Sequence, residues 1–81
     1  MVNQRAAFVV YEWTKGETVL GYGITDDPER RTREHQREEP HSSVRAIANE
    51  PTEIMARERG INKLREYEKD HGDLPPKNRP R

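Results

Sequence analysis

Ala6-Ala7-Phe8-Val9-Val10-Tyr11-Glu12-Trp13, then Lys15-Gly16, then Thr18-Val19-Leu20-Gly21-Tyr22-Gly23-Ile24-Thr25, is the stretch on which the fold turns. Residues 6–13 are rich in β-branched and aromatic side chains, which suit a half-buried pleated strand. Lys15-Gly16 supplies a turn, because glycine reaches φ > 0 without steric cost. Residues 18–24 read as the returning strand of a hairpin. Gly21 and Gly23 weaken that strand on propensity. Glycine inside a strand marks a bulge or the close approach of another group. A bulged edge and a floor beneath a bound phosphate both fit this pair.

Asp27-Pro28-Glu29 opens a helix. Aspartate can cap, proline fits the first helical position, and glutamate complements the N-terminal dipole. The helix is predicted over 28–38 and stops near Pro40. It has almost no apolar face, so docking would rely on the aliphatic stems of its arginines. Residues 41–43 read as a loop and 44–48 as a short third strand. Asn49-Glu50-Pro51-Thr52 starts a second helix, which runs to about Asp70, with Gly72 as its stop signal. Ile54, Ile61, Leu64 and Tyr67 are spaced as one apolar stripe. Residues 73–81 carry three prolines and end basic, as an extended tail. The expected architecture is α/β: a small, mainly antiparallel three-stranded sheet with flanking helices. One domain over 1–74 is followed by a basic, proline-rich tail over 75–81.

Eighty-one residues make a single domain, 30% hydrophobic and 37% charged. A chain this short buries only about 60% of its unfolded surface, so its core is small. A homodimer would help its stability, and a monomer satisfies the composition equally. No cysteine is present, which excludes disulfides and thiolate metal sites. No apolar run approaches the ~18 residues of a membrane span. Met1 to Arg5 lacks a signal-peptide core. The expectation is a cytoplasmic protein with no membrane partner. Fifteen basic and fifteen acidic side chains cancel, which counts against a nucleic-acid partner. Local distribution nonetheless decides phosphate affinity. Arg30, Arg31, Arg33 and Arg37 face only Glu34 within residues 30–37, and Lys77, Arg79 and Arg81 have no acid among them.

Arg31 and His35 are four residues apart on the first predicted helix, so they share a face and can converge on one anion. A solvated surface pair is the ordinary fate of such residues. The Tyr-turn-Gly-x-Thr frame upstream is what raises the chemical reading. Glu58 falls within the apolar stripe, between Ile54 and Ile61. A carboxylate there is costly unless paired or bound to a cation. Pairing with Arg57 or Arg59 and ligation of a metal both satisfy it. Tyr11 reads otherwise as a strand tyrosine with its ring in the core, and Phe8, Trp13 and Tyr22 as core or half-core aromatics. His41 and His71 lack metal-ligand spacing to one another.

The order and spacing of these residues resemble the GIY-YIG nuclease family over residues 8–78. Tyr11 matches the first tyrosine, Gly23 and Thr25 the glycine and threonine of the second motif, and Arg31 and His35 the helix pair. Residues 53–58 look like the segment ending in the metal-binding glutamate, which falls on Glu58. Pro75-Pro76-Lys77-Asn78 is similar to the late Pro-x-x-Asn. In two places the chain departs from the pattern. Val9-Val10 stands for Gly-Ile, and Gly21 stands where the second tyrosine belongs, with Tyr22 one place later. Strand alternation sends Tyr22 the wrong way unless a bulge at Gly21 or Gly23 restores it.

The resemblance implies a metal-dependent endonuclease that hydrolyses phosphodiester bonds of nucleic acid, DNA expected, with low sequence specificity. Tyr11, Tyr22, Arg31, His35 and Glu58 would be catalytic, with Glu58 holding one Mg²⁺ or Mn²⁺. Arg30, Arg33, Arg37 and Asn78 would bind nucleic acid. The alternative is a weak or inactive module on the same fold that binds nucleic acid or a protein partner.

Overall fold

The computed structural model describes residues 7–80. β1 (Phe8–Lys15) and β2 (Thr18–Thr25) form the expected hairpin about Gly16, whose φ of 62° is left-handed. β3 (Ser43–Glu50) pairs antiparallel with the other edge of β1, so the sheet order is β2-β1-β3. β3 is longer than the sequence indicates, because Asn49 and Glu50 continue the ladder opposite Val9 and Phe8. α1 (Pro28–Glu38) and α2 (Glu53–His71) complete an α/β fold.

α1 starts where the sequence places it. The Asp27 side chain accepts a hydrogen bond from the Arg30 backbone N–H at 3.1 Å, and Thr25 Oγ1 accepts one from the Asp27 N–H at 3.0 Å. The Gly-x-Thr threonine therefore serves to aim α1. α2 is capped by Thr52 and ended by Gly72, whose φ is 84°.

The central strand divides the molecule. Its alternation sends Tyr11 and Trp13 to one face and Val10 and Glu12 to the other. α1 lies over the first face and α2 over the second. α2 docks through Ala56 and Gly60, both buried. A Cβ built on Gly60 would sit 3.7 Å from Ile24 Cγ2. Tyr67, further along, meets Tyr22 edge-on. The docked stripe is thus Ala56, Gly60, Leu64 and Tyr67. The expected stripe headed by Ile54 and Ile61 is corrected: these are 74% and 46% exposed. Small residues let the helix backbone approach the sheet, and that close approach decided the phase over the larger isoleucines.

The C-terminal segment is docked rather than extended. Pro75 is buried, Pro76–Asn78 forms a 3₁₀ turn, and Asn78 clasps the β2 backbone. Packing therefore continues past the expected boundary at residue 74. Residues 1–6 and Arg81 lie outside the described residues. Among the described residues, no helix is long and apolar enough to cross a membrane.

Candidate active site

β1 presents Tyr11 to the α1 face, with the residue only 6% exposed. Its partner across the hairpin is Gly23. A Cβ there would overlap the Tyr11 hydroxyl and come within 2.6 Å of Cζ. This glycine is therefore the cradle for the phenol, the close approach its position in a strand implied. The Tyr11 hydroxyl lies 2.8 Å from His35 Nε2, in hydrogen-bond contact. His35 stacks on Trp13, with ring centroids 3.8 Å apart and planes at 21°. Trp13 is fixed in turn, its Nε1–H donating to Ser42 Oγ at 2.8 Å. α1 buries no residue of its own. It is held by this aromatic stack and by Gln36, whose side-chain amide donates to the Ser42 carbonyl.

Arg31 stands one turn before His35. Its Nη1 donates to Glu34 Oε1 at 3.0 Å, while its Nε is buried with no hydrogen-bond partner among the described residues. Such a group normally finds an acceptor. Burial pushes the Tyr11 hydroxyl above its ordinary value, and the Arg31 charge offsets part of that rise. Burial, and then the Arg31 charge, hold His35 below its ordinary value. At neutral pH the pair is therefore a protonated phenol against a neutral imidazole.

Clefts open on both sides of this cluster. Arg31, Arg30 and Arg57 line one of about 350 Å³ at the end of β2. His35, Trp13, Lys77 and Arg79 line the other, of about 470 Å³. Arg30 is shared with Asp26 and Glu34. Arg33 and Arg37 are exposed on α1. Trp13, Ser42, Glu34, Arg57 and Lys77 also belong to this neighbourhood. The sequence placed Trp13 in the core, Ser42 in a loop, Arg57 beside Glu58, Lys77 in the basic tail and Glu34 among the arginines, and assigned none of them to the site.

Three expected members are elsewhere. Tyr22 lies opposite Glu12 in the ladder and donates its hydroxyl to Glu12 Oε2 at 3.2 Å, on the α2 face. Burial first, and the Glu12 carboxylate second, push its hydroxyl up to about 12. A bulge does exist in β2, but it falls at Leu20, between the Trp13–Gly21 and Thr14–Val19 pairs. It leaves the phase at Tyr22 unchanged. The place of the second tyrosine is filled by the C-terminal segment: a Cβ on Gly21 would meet Asn78 Oδ1 at 2.8 Å and Lys77 Cβ at 3.4 Å.

Asn78 is likewise committed to the fold. It accepts from the Tyr22 N–H at 2.9 Å and donates to the Tyr22 carbonyl at 3.1 Å, so its amide is engaged with β2 rather than presented to nucleic acid. Glu58 is exposed, about 200° round α2 from the buried Ala56. It rims a groove of about 390 Å³ between α2 and β3, across the sheet from Tyr11. The buried acid of that region is Glu50, 2.6 Å from Arg59 Nη2.

Glu58 so placed does not fit as a ligand for Mg²⁺ or Mn²⁺ beside Tyr11 and His35. Among the described residues, no three His, Cys, Asp or Glu side chains converge on one point. No protein-family model, no curated protein and no solved structure matches the chain.

Proposed function

We propose that the protein is a small nuclease domain that cleaves phosphodiester bonds of nucleic acid, with Tyr11, Arg31 and His35 as its working groups. The observation that carries this reading is the 2.8 Å contact between the Tyr11 hydroxyl and His35 Nε2, built one helical turn from an arginine whose buried Nε–H has no partner among the described residues. A purely structural tyrosine needs no imidazole partner, and a surface arginine does not leave a donor stranded.

In this reading Arg31 takes a phosphate oxygen and stabilises the charge that builds on it. A water held against the phosphate gives a proton to the Tyr11 oxygen as Tyr11 passes its own to His35 Nε2. The resulting hydroxide attacks phosphorus, the phosphorus–oxygen bond opposite it breaks, and the departing oxygen takes a proton from solvent water. The raised Tyr11 and lowered His35 both work against a standing tyrosinate–imidazolium pair, so Tyr11 stays protonated and passes a proton to the imidazole only as the water gives one up. Arg30, Arg33 and Arg37 extend the contact along the phosphate backbone. No step is routed through a metal at Glu58.

The second reading keeps the same face as a nucleic-acid-binding surface without turnover. It is favoured by Tyr22, which is bonded to Glu12 on the far side of the sheet. A nicking assay on supercoiled plasmid and on a labelled RNA separates the two. It should be run with Mg²⁺, with Mn²⁺ and with chelator, alongside a gel-shift measurement. Cleavage abolished by Arg31→Ala supports the nuclease. Retardation without cleavage under all conditions supports the binding module and ends the first reading.

A further inference from the structure

α2 carries two stripes, and the sheet uses only one. Ile54 and Ile61 occupy the other, 74% and 46% exposed. Among the described residues, the buried apolar side chains of the core are few, chiefly Val10, Tyr11, Trp13, Ala56 and Pro75. Leaving two isoleucines in water on one helix is a large omission for so small a core. Glu58 lies between them and Arg65 one turn beyond, on the same outer face. The ion pairs of α2 join Arg57 to Glu53, Arg59 to Glu50 and Lys63 to Glu66. Glu58 and Arg65 take part in none of them among the described residues.

We propose that this face of α2 binds a second copy of the chain, the two helices packing antiparallel about a two-fold axis near Ile61. The stripe is self-complementary in that arrangement alone. Ile61 meets the partner's Ile61 at the axis. Glu58 lies opposite the partner's Arg65, and symmetry repeats the pair. Ile54 reaches the aliphatic stem of the partner's Lys69. Parallel packing would instead set Glu58 against its own copy and Arg65 against its own. A nucleic-acid strand is a poor alternative occupant, because the stripe offers isoleucine and a carboxylate. The proposal does not depend on the nuclease reading, since the stripe lies across the sheet from Tyr11 and His35.

One helix pair covers less than the ~800 Å² per partner of standard interfaces, so the dimer is expected to be weak, with a dissociation constant between about 1 μM and 1 mM. Sedimentation velocity over that concentration range tests it. The wild type should shift from the 9.5 kDa monomer towards twice that mass. Glu58→Arg alone and Arg65→Glu alone should each stay monomeric, because every interfacial pair then repels. A one-to-one mixture of the two variants should associate again. One chain then carries only positive charge at the two positions and the other only negative, so opposite charges meet on both sides of the axis. Ile61→Ser, at a site 46% exposed and checked for retained folding, should weaken association at least tenfold. A wild type that stays monomeric at about 1 mM overturns the proposal. So does a folded pair of charge variants that fails to associate on mixing, and so does Ile61→Ser with undiminished association.

Discussion

The two faces of the sheet use the same residue types to opposite ends. On the α1 face a tyrosine is buried over a glycine, bonded to a histidine and set near an arginine. On the α2 face a tyrosine is bonded to a carboxylate and packed edge-on against another tyrosine. Tyr11 and Tyr22 lie on neighbouring strands, one register step apart. What separates them is the two-residue period of a strand, which allots each side chain to one face. Chemistry follows the allotment. The first phenol has a neighbour that can take a proton, while the second gives its hydrogen to a carboxylate acceptor and stays protonated. A phenol's presence in a motif is therefore less informative than the face on which it lands.

The sharpest way to break this contrast is to remove each hydroxyl in turn. Tyr11→Phe should lower cleavage by about a hundredfold or more, the usual scale for a lost acid–base group. Tyr22→Phe should leave it within about twofold. Turnover rates on a single plasmid substrate decide it. Equal losses from both variants would mean that Tyr22 works at the site, and the division of the faces would fall.

Glycines sharpen the same comparison through stability. Gly23→Ala drives a methyl into the Tyr11 ring, so it should cost about 1–3 kcal/mol as overpacking. That is a large share of the stability of a small domain. Gly60→Ala has ordinary van der Waals space, 3.7 Å from Ile24 Cγ2, and lies mid-helix. It should gain about 0.5–1 kcal/mol from helix propensity. Denaturant midpoints of the two variants should move in opposite directions. A gain from Gly23→Ala would show that Tyr11 is not seated as described.

His35 gives the α1 face a pH dependence. Its folded value is lowered below 6.5 by burial and then by Arg31. Below 6.5 the unfolded chain binds the proton first, so stability falls as pH drops from 6.5 to the lowered folded value. Below that value this contribution levels off. Cleavage should fall over the same acid range as the imidazole loses its capacity to accept a proton. An NMR titration of the His35 ring should place its midpoint under 6.5, and Arg31→Gln should move it up. A midpoint above 6.5 would contradict the burial argument.

Much of the α1 face was legible because its signals are local. Gly16 turns the hairpin, Asp27 and Pro28 start the helix, and four-residue spacing aligns Arg31 with His35. The α2 face was legible in its element but not in its phase. Periodicity weights large apolar residues, and here Ala56 and Gly60 dock because they are small. Glu50 was assigned to the start of a helix, whereas pairing with Phe8 extends β3 and buries it against Arg59. The clasp of Asn78 on the Tyr22 backbone spans 56 positions of chain, and nothing local announces it.

The smallest expected effect is the most discriminating. Glu58 was the carboxylate that the resemblance chose for the metal, and the fold turns it outward on the far side of the sheet. Glu58→Gln keeps the volume and removes the charge. If the helix phase set by Ala56 and Gly60 holds during turnover, cleavage should stay within about twofold of wild type, with the same response to Mg²⁺, Mn²⁺ and chelator. Assays at low protein concentration keep self-association out of the measurement. If Glu58→Gln collapses cleavage while nucleic-acid binding persists, the working enzyme must bring α2 to the Tyr11 face, and two separate faces would be the wrong description of the active molecule. A flat response leaves Arg31, His35 and Tyr11 to account for whatever cleavage is seen, and places the carboxylate's contribution in the pairing of chains rather than in the cutting of them.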